Sequence, residues 1–173
     1  MIFCPEMHRA YIGLGSNIEP EQHLRAAVLE LAKLGDIERV SRVYESKAVG
    51  DPDQPDFLNA AVLLRTDQTV EELCESLRQI ESTLGRVRDP ENKNAARTID
   101  LDLLLFDETV LSLEHRRIPD PDILRRAFVA VPLSEVDPEF VHPETGQTLQ
   151  MIADQMIEER FGLNLSSSLL IDV

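Results

Sequence analysis

Aromatic residues are scarce in this 173-residue chain: six Phe, two Tyr and no Trp. Cysteine is almost missing. Cys4 and Cys74 sit far apart and without metal-ligand spacing, which points to free thiols in a reducing cytoplasm, with a disulfide as the alternative. No apolar run reaches the length of a membrane span. Residues 1–8 lack a basic start followed by an apolar core, so no secretory signal is expected. Internal repeats and low-complexity segments are absent as well. Positive charge is in deficit: 17 Lys and Arg against 32 Asp and Glu leave a formal charge of −15. That excess argues against nucleic acid or an anionic membrane as a partner. Nothing in the sequence specifies an oligomeric state.

What remains is enough for a single domain across 1–173, with a core over about 9–157 and a tail, 161–173, of unread role. The basic residues are unevenly placed. Nine of the 17 lie between Arg78 and Arg126, and eight of those nine are arginine, the side chain suited to bidentate phosphate contacts. Pairing with the abundant Asp and Glu is the alternative use for them.

The run Arg97-Thr98-Ile99-Asp100-Leu101-Asp102-Leu103-Leu104-Leu105-Phe106 reads as a buried strand interrupted by two carboxylates. Side chains alternate across a strand, so Asp100 and Asp102 share one face, roughly 7 Å apart, and Ile99, Leu101, Leu103 and Leu105 share the other. Leu104 and Phe106 continue the aspartate face, which argues against full exposure. Two like charges held this close need neutralising. A hard cation with oxygen ligands does this, and Mg²⁺ with a phosphate-bearing substrate fits the residues best. A solvated face with solubilising aspartates is the alternative.

The remaining pattern predicts a strand over 9–14, a helix over 20–34, a bent strand over 37–49, a turn-rich loop over 50–56 and a strand over 57–65. A helix follows over 69–84, with Thr69 or Asp67 as its cap. Its apolar stripe is Val70, Leu73, Cys74, Leu77, Ile80 and Leu84. Glu81 falls inside that stripe, where a carboxylate is costly unless paired. It is expected either beside the cations of the next loop or partly exposed at the stripe's end. The loop over 85–96 carries Arg86, Arg88 and Lys93 and exits at Arg97. It reads as a lid, or else as an ordinary connection. A small hairpin over 110–119, helical spacing over 122–136 interrupted by Pro132, and a helix over 148–160 complete the chain. The order strand, helix, strand, strand, helix, strand is the split βαββαβ pattern of an α+β, ferredoxin-like fold, an antiparallel sheet with two helices on one face and a C-terminal helical extension. Phe57, Asn59, Asp100 and Asp102 then share its open face.

Four motifs in this order resemble one family. They are Tyr11-Ile12-Gly13-Leu14-Gly15-Ser16-Asn17, Asp53-Gln54-Pro55-Asp56-Phe57-Leu58-Asn59-Ala60-Ala61-Val62, Ile80-Glu81 followed by Gly85-Arg86-Val87-Arg88, and Arg97-Thr98-Ile99-Asp100-Leu101-Asp102. The family is the 6-hydroxymethyl-7,8-dihydropterin pyrophosphokinases of the folate pathway, and the resemblance runs over about 10–152. It implies transfer of pyrophosphate from ATP to the hydroxymethyl group of a dihydropterin, with release of AMP. It implies that Asp100 and Asp102 hold two Mg²⁺ ions and that Arg86 and Arg97 act on the phosphates. Phe57 and Phe128 are expected to stack on the pterin, and Asn59 with Ser46 and Val49 to hydrogen-bond its edge. Arg78, Glu81, Arg88 and Arg126 are expected on the nucleotide side. A binding domain without turnover, or a pyrophosphokinase for another pterin, is the alternative.

The chain departs from the family pattern in three places. Lys93-Asn94-Ala95-Ala96-Arg97 stands where an aromatic and Gly-Pro-Arg are common. Pro119-Asp120-Pro121 stands where a histidine–tyrosine pair usually follows the proline, and Arg78 replaces a frequent glutamine. No Gly-rich Walker loop is present, nor is one needed if metal ions and arginines hold the phosphates.

Overall fold

The computed structural model describes residues 6–113, 115–156 and 162–166. Cys4 lies outside them, and Cys74 is a buried free thiol. The chain order is β1 (His8–Ser16), α1 (Pro20–Leu31), β2 (Asp36–Val40), β3 (Tyr44–Ser46), β4 (Phe57–Thr66), α2 (Val70–Thr83) and β5 (Asp100–Phe106). A hairpin of β6 (Leu111–Leu113) and β7 (Arg116–Ile118) follows, then a 3-10 turn (Pro121–Leu124), α3 (Ala127–Val136), α4 (Leu149–Gln155) and β8 (Asn164–Leu165). The main sheet runs β5-β1-β4-β3-β8, and β2 pairs with β4 on the same side as β3. Every pairing in it is antiparallel. With β2 and β3 counted as one interrupted strand, this is the 4-1-3-2 order of the βαββαβ pattern.

The expected strand over 37–49 breaks in two because Ser41 takes over a ladder position with its side chain. Its amide donates to the Ala61 carbonyl at 2.9 Å, while its Oγ, not its carbonyl, accepts the Ala61 amide at 2.8 Å. Helix α1 ends earlier than 34. The Lys33 and Leu34 amides bond three residues back, to Glu30 and Leu31, and tighten the last turn out of α geometry. Helix α2 starts with a reciprocal cap: the Glu72 amide donates to Thr69 Oγ1 and the Thr69 amide to Glu72 Oε2.

One face of the sheet packs Ile12, Leu14, Ala60, Val62, Leu64, Leu101 and Leu103 against α1 and α2. Removing a buried leucine from such a layer, Leu73 for example, costs about 2–5 kcal/mol. The other face is not open along its length, as the sequence suggests. Tyr11, Ala61, Leu63, Leu104 and Leu105 pack there against α3 and α4, which cover about half of it. Strand β5 also departs from simple alternation. Tyr11 pairs with Leu105 but Ile12 with Leu103, so Leu104 is an extra residue bulged into β5. Beyond the bulge the faces exchange: Leu105 joins the α3–α4 side and Phe106 the α1–α2 side, the reverse of the sequence expectation.

Candidate active site

The uncovered half of the second face is the floor of a cavity of about 290 Å³. Gly13 and Gly15 of β1, Phe57 and Asn59 of β4, and Asp100 and Asp102 of β5 line it side by side. The two glycines keep the floor low. A Cβ on Gly13 would stand 3.2 Å from the Leu104 side chain, and one on Gly15 would stand 3.6 Å from Asn59 Oδ1. Ser46, Val49, Arg97, Arg126 and Phe128 complete walls to which the sequence assigns roles. Lys47, Asn94, Asp120 and Asp122 join them. Of these four, the sequence marks only Asp120, through its unusual place after Pro119.

The charged end of the site is organised by Glu81. Helix α2 stops in a Schellman motif: the Arg86 amide reaches back to the Glu81 carbonyl and the Gly85 amide to that of Ser82, with Gly85 in the left-handed region at φ 81°. That turn folds the loop's first arginine back over the helix end. Glu81, only 3 % exposed, then takes three donors: the guanidinium of Arg86, that of Arg88 at 2.6 Å and the Leu101 amide at 2.8 Å. It is buried and paired, the sharper of its two expected placements. Arg86 bridges on to Asp100, whose other oxygen receives Arg97 Nη1 at 2.6 Å. Burial works against the Arg86 charge, but Asp100 and Glu81 outweigh it and its pKa rises.

Asp102 is the opposite case. Its carboxylate has no hydrogen bond or ion pair among the described residues, though it opens to the cavity. Its position deep among protein atoms, then the nearby carboxylates of Asp100, Asp120 and Glu81, push its carboxyl well above the ordinary range, with Arg86 opposing. Asp120 is also shifted up, first by burial. Its Oδ1 accepts the Asp122 amide at 2.8 Å, so it caps the 3-10 turn while lining the cavity.

At the aromatic end, Asn59 is 5 % exposed. Its amide nitrogen donates to Ser46 Oγ at 2.8 Å and to the Tyr44 carbonyl at 3.2 Å, leaving Oδ1 to receive a ligand donor. Arg97 lies over the Phe57 ring, 5.7 Å from its centroid. The residues of the loop before β5 are tied down locally. Arg97 Nη2 and Nε donate to the carbonyls of Lys93 and Ala95, and Gln54 of the facing loop donates to the Asn94 carbonyl at 2.7 Å. Four expected residues do not line the cavity: Glu81 and Arg86 stand behind Asp100, and two others lie further out. Arg78 is exposed on α2 beside Glu75, and Arg88 lies on the outer side of Glu81.

Paired carboxylates, convergent arginines and an aromatic wall with a free amide oxygen make this a cleft able to hold a polyphosphate against a flat heterocycle, on an α+β sandwich. The model of the 7,8-dihydro-6-hydroxymethylpterin-pyrophosphokinase (HPPK) family matches residues 11–138. The chain belongs to that family. It is 39% identical over 157 residues to the 2-amino-4-hydroxy-6-hydroxymethyldihydropteridine pyrophosphokinase of Synechocystis sp., covering 89% of this chain and 79% of the relative. It is 42% identical over 145 residues to the enzyme of that name from Bacillus subtilis, covering 80% and 86%. The crystal structure of Plasmodium falciparum HPPK-DHPS A437G/K540E with pterin and p-hydroxybenzoate superposes with a TM-score of 0.72 at 14% identity, over 94% of this chain. This chain spans about half of that longer one, 48%, so the likeness there is one of fold.

Proposed function

We propose a division of labour within the cleft for the reaction of the family, in which pyrophosphate passes from ATP to 6-hydroxymethyl-7,8-dihydropterin and AMP leaves, a step of folate biosynthesis. The substrate's hydroxymethyl oxygen attacks the β-phosphorus, and the bond to the α-phosphate oxygen breaks. No protein nucleophile is needed. Alignment and charge neutralisation carry the rate. The observation behind this assignment is the sharing of one cavity by Asp100, Asp102, Arg97, Phe57 and Asn59.

Phe57 and Phe128 stack on the pterin ring, and Asn59 Oδ1, with Ser46 and the backbone to Val49, meets its polar edge. Arg86 and Arg97 rest on Asp100 and transfer to the phosphates when these arrive, releasing Asp100 as a ligand. Glu81 holds Arg86 at its starting point and fixes the head of β5 through the Leu101 amide. Arg126, on the cavity wall, serves the nucleotide, with Arg88 and Arg78 further out.

Mg²⁺, as two ions, is the proposed cofactor. Asp102, unpaired and facing the cavity beside Asp100, supplies the oxygen donors a hard cation takes, with phosphate and water completing its shell. Among the described residues no third metal-binding side chain joins these two in a cluster. Bound there, the ions would neutralise the polyphosphate and orient the transferring group. The unit is one pyrophosphokinase domain handling small molecules. No helix among the described residues is long and apolar enough to cross a membrane, and the free thiol of Cys74 is in keeping with the cytoplasm as its compartment.

The test is AMP release from ATP, Mg²⁺ and the dihydropterin. Asp100→Ala and Asp102→Ala should each lower turnover by at least about 10³, the scale of a lost charge clamp. Near-normal turnover in both variants defeats the assignment.

A further inference from the structure

Resting on the ring-pocket assignment above, we propose that the C-terminal segment 162–166 is a positioning element for dihydropterin binding. Strand β3 has only three residues, Tyr44–Ser46, and its last residue opens the stretch that meets the pterin edge. A strand this short at a sheet edge is weakly held by one neighbour. Here it has two. On the side away from β4, β8 pairs Tyr44 with Leu165 and Glu45 with Asn164, and the Ser166 amide donates to the Val43 carbonyl at 2.9 Å.

The same segment stands behind the ring pocket. A second cavity, about 180 Å³, has Gly162 and Leu163 on one side and Ser46, Lys47, Val49, Arg126 and Phe128 on the other. All five of the latter also line the main cavity, so the tail backs a wall whose front faces the substrate. Leu163 packs onto the apolar cluster of α3 and α4. The segment therefore joins two parts of the pocket that come from distant stretches of chain, the end of β3 with Asn59's partner Ser46 and the start of α3 with Phe128. Arg97 and the aspartates do not border this second cavity, and Arg126 is the one residue assigned to the nucleotide that does, so the reacting phosphates are held independently of the tail.

Two variants test this. One lacks residues 162–173. The other is full-length Ser166→Pro, which deletes the amide that bonds Val43. For each, the KM of both substrates and kcat are measured by AMP release, dihydropterin affinity by calorimetry and stability by thermal melting. The KM for dihydropterin should rise about five- to tenfold in the deletion and about threefold in Ser166→Pro, with the KM for ATP and kcat within about twofold of the unaltered chain. A dihydropterin KM unchanged in both, or equal rises in both KM values, overturns the inference whatever the melting temperature does. If the deletion does not fold, Ser166→Pro decides alone. Phe57→Ala is the reference: where it weakens dihydropterin binding and the tail variants do not, the pocket stands and the role of the tail falls. Where Phe57→Ala also binds normally, the pocket assignment falls with it.

Discussion

Replacing Asp102 by asparagine should make the ligand-free protein more stable, and only above acidic pH. Burial at the cavity floor and three neighbouring carboxylates raise its carboxyl from 3.8 to about 8, so the folded state holds this proton more tightly than the unfolded chain does. Stability from such a group is complete below the unfolded value and is lost as pH climbs through the interval up to the folded one. At pH 4 an aspartic acid and an asparagine are nearly equivalent, and the two proteins should melt together. At pH 8 to 9 the unaltered chain carries an unpaired charge that asparagine lacks. The full shift would correspond to more than 5 kcal/mol. Asp102 opens to cavity water, however, and solvent screening reduces this to about 1–2 kcal/mol. For a chain of this size that is a gain of roughly 2–8 °C in melting temperature. Differential scanning calorimetry in chelator-treated buffer, stepped from pH 4 to 9, reads it directly. A difference independent of pH, or a variant less stable at pH 8, would refute the account of Asp102 as an uncompensated charge. Adding ATP with Mg²⁺ should stabilise only the unaltered chain.

Three further outcomes follow from the geometry. Glu81→Ala should cost about 3–5 kcal/mol in denaturant unfolding, because it strands the buried Arg86 and the Leu101 amide; a loss below about 1 kcal/mol would mean that Arg86 finds Asp100 sufficient. Phe57→Ala should weaken dihydropterin binding by about 1–3 kcal/mol, by analogy with base stacking, and leave ATP titrations nearly flat; equal losses for both ligands would make Phe57 a core residue. Asp120→Asn keeps the oxygen that caps Asp122 while removing a charge from the cavity wall, so ATP should bind up to about 1 kcal/mol more tightly at fixed Mg²⁺. Unchanged or weaker binding would reduce Asp120 to a turn cap.

Much of the architecture is written in local pattern. The βαββαβ order, the apolar faces of β4 and α2, the Thr69 cap and the misplaced polarity of Glu81 all follow from spacing over a few residues. So does the gathering of Asp100 and Asp102 on one face. Features that depend on distant chain were not legible. The Ser41 break needs Ala61 opposite to give it meaning. The bulge at Leu104 has no glycine or proline to announce it and exists only in the pairing with β1. The cover of α3 and α4 over half the sheet, and the two-residue pairing of β8 with β3, join segments whose sequences show no sign of each other. At the site, Lys47, Asn94 and Asp122 enter the cavity wall from loops or turns whose direction only the folded chain sets.

The bulge at Leu104 gives β5 two opposite parities in seven residues. Its first half offers carboxylates to the cleft and leucines to the α1–α2 layer. Its second half, one step out of phase, seats Leu105 and Phe106 in layers where unbroken alternation would have exchanged them. The two halves can therefore vary under separate constraints, one chemical and one structural, across a phase boundary of a single residue. Deleting Leu104 would restore uniform alternation and leave the aspartates, Leu105 and Phe106 on their present faces; what would be lost is the side chain that fills the space beside Gly13. In this strand the spacing between residues, as much as their identity, sets which face each side chain reaches.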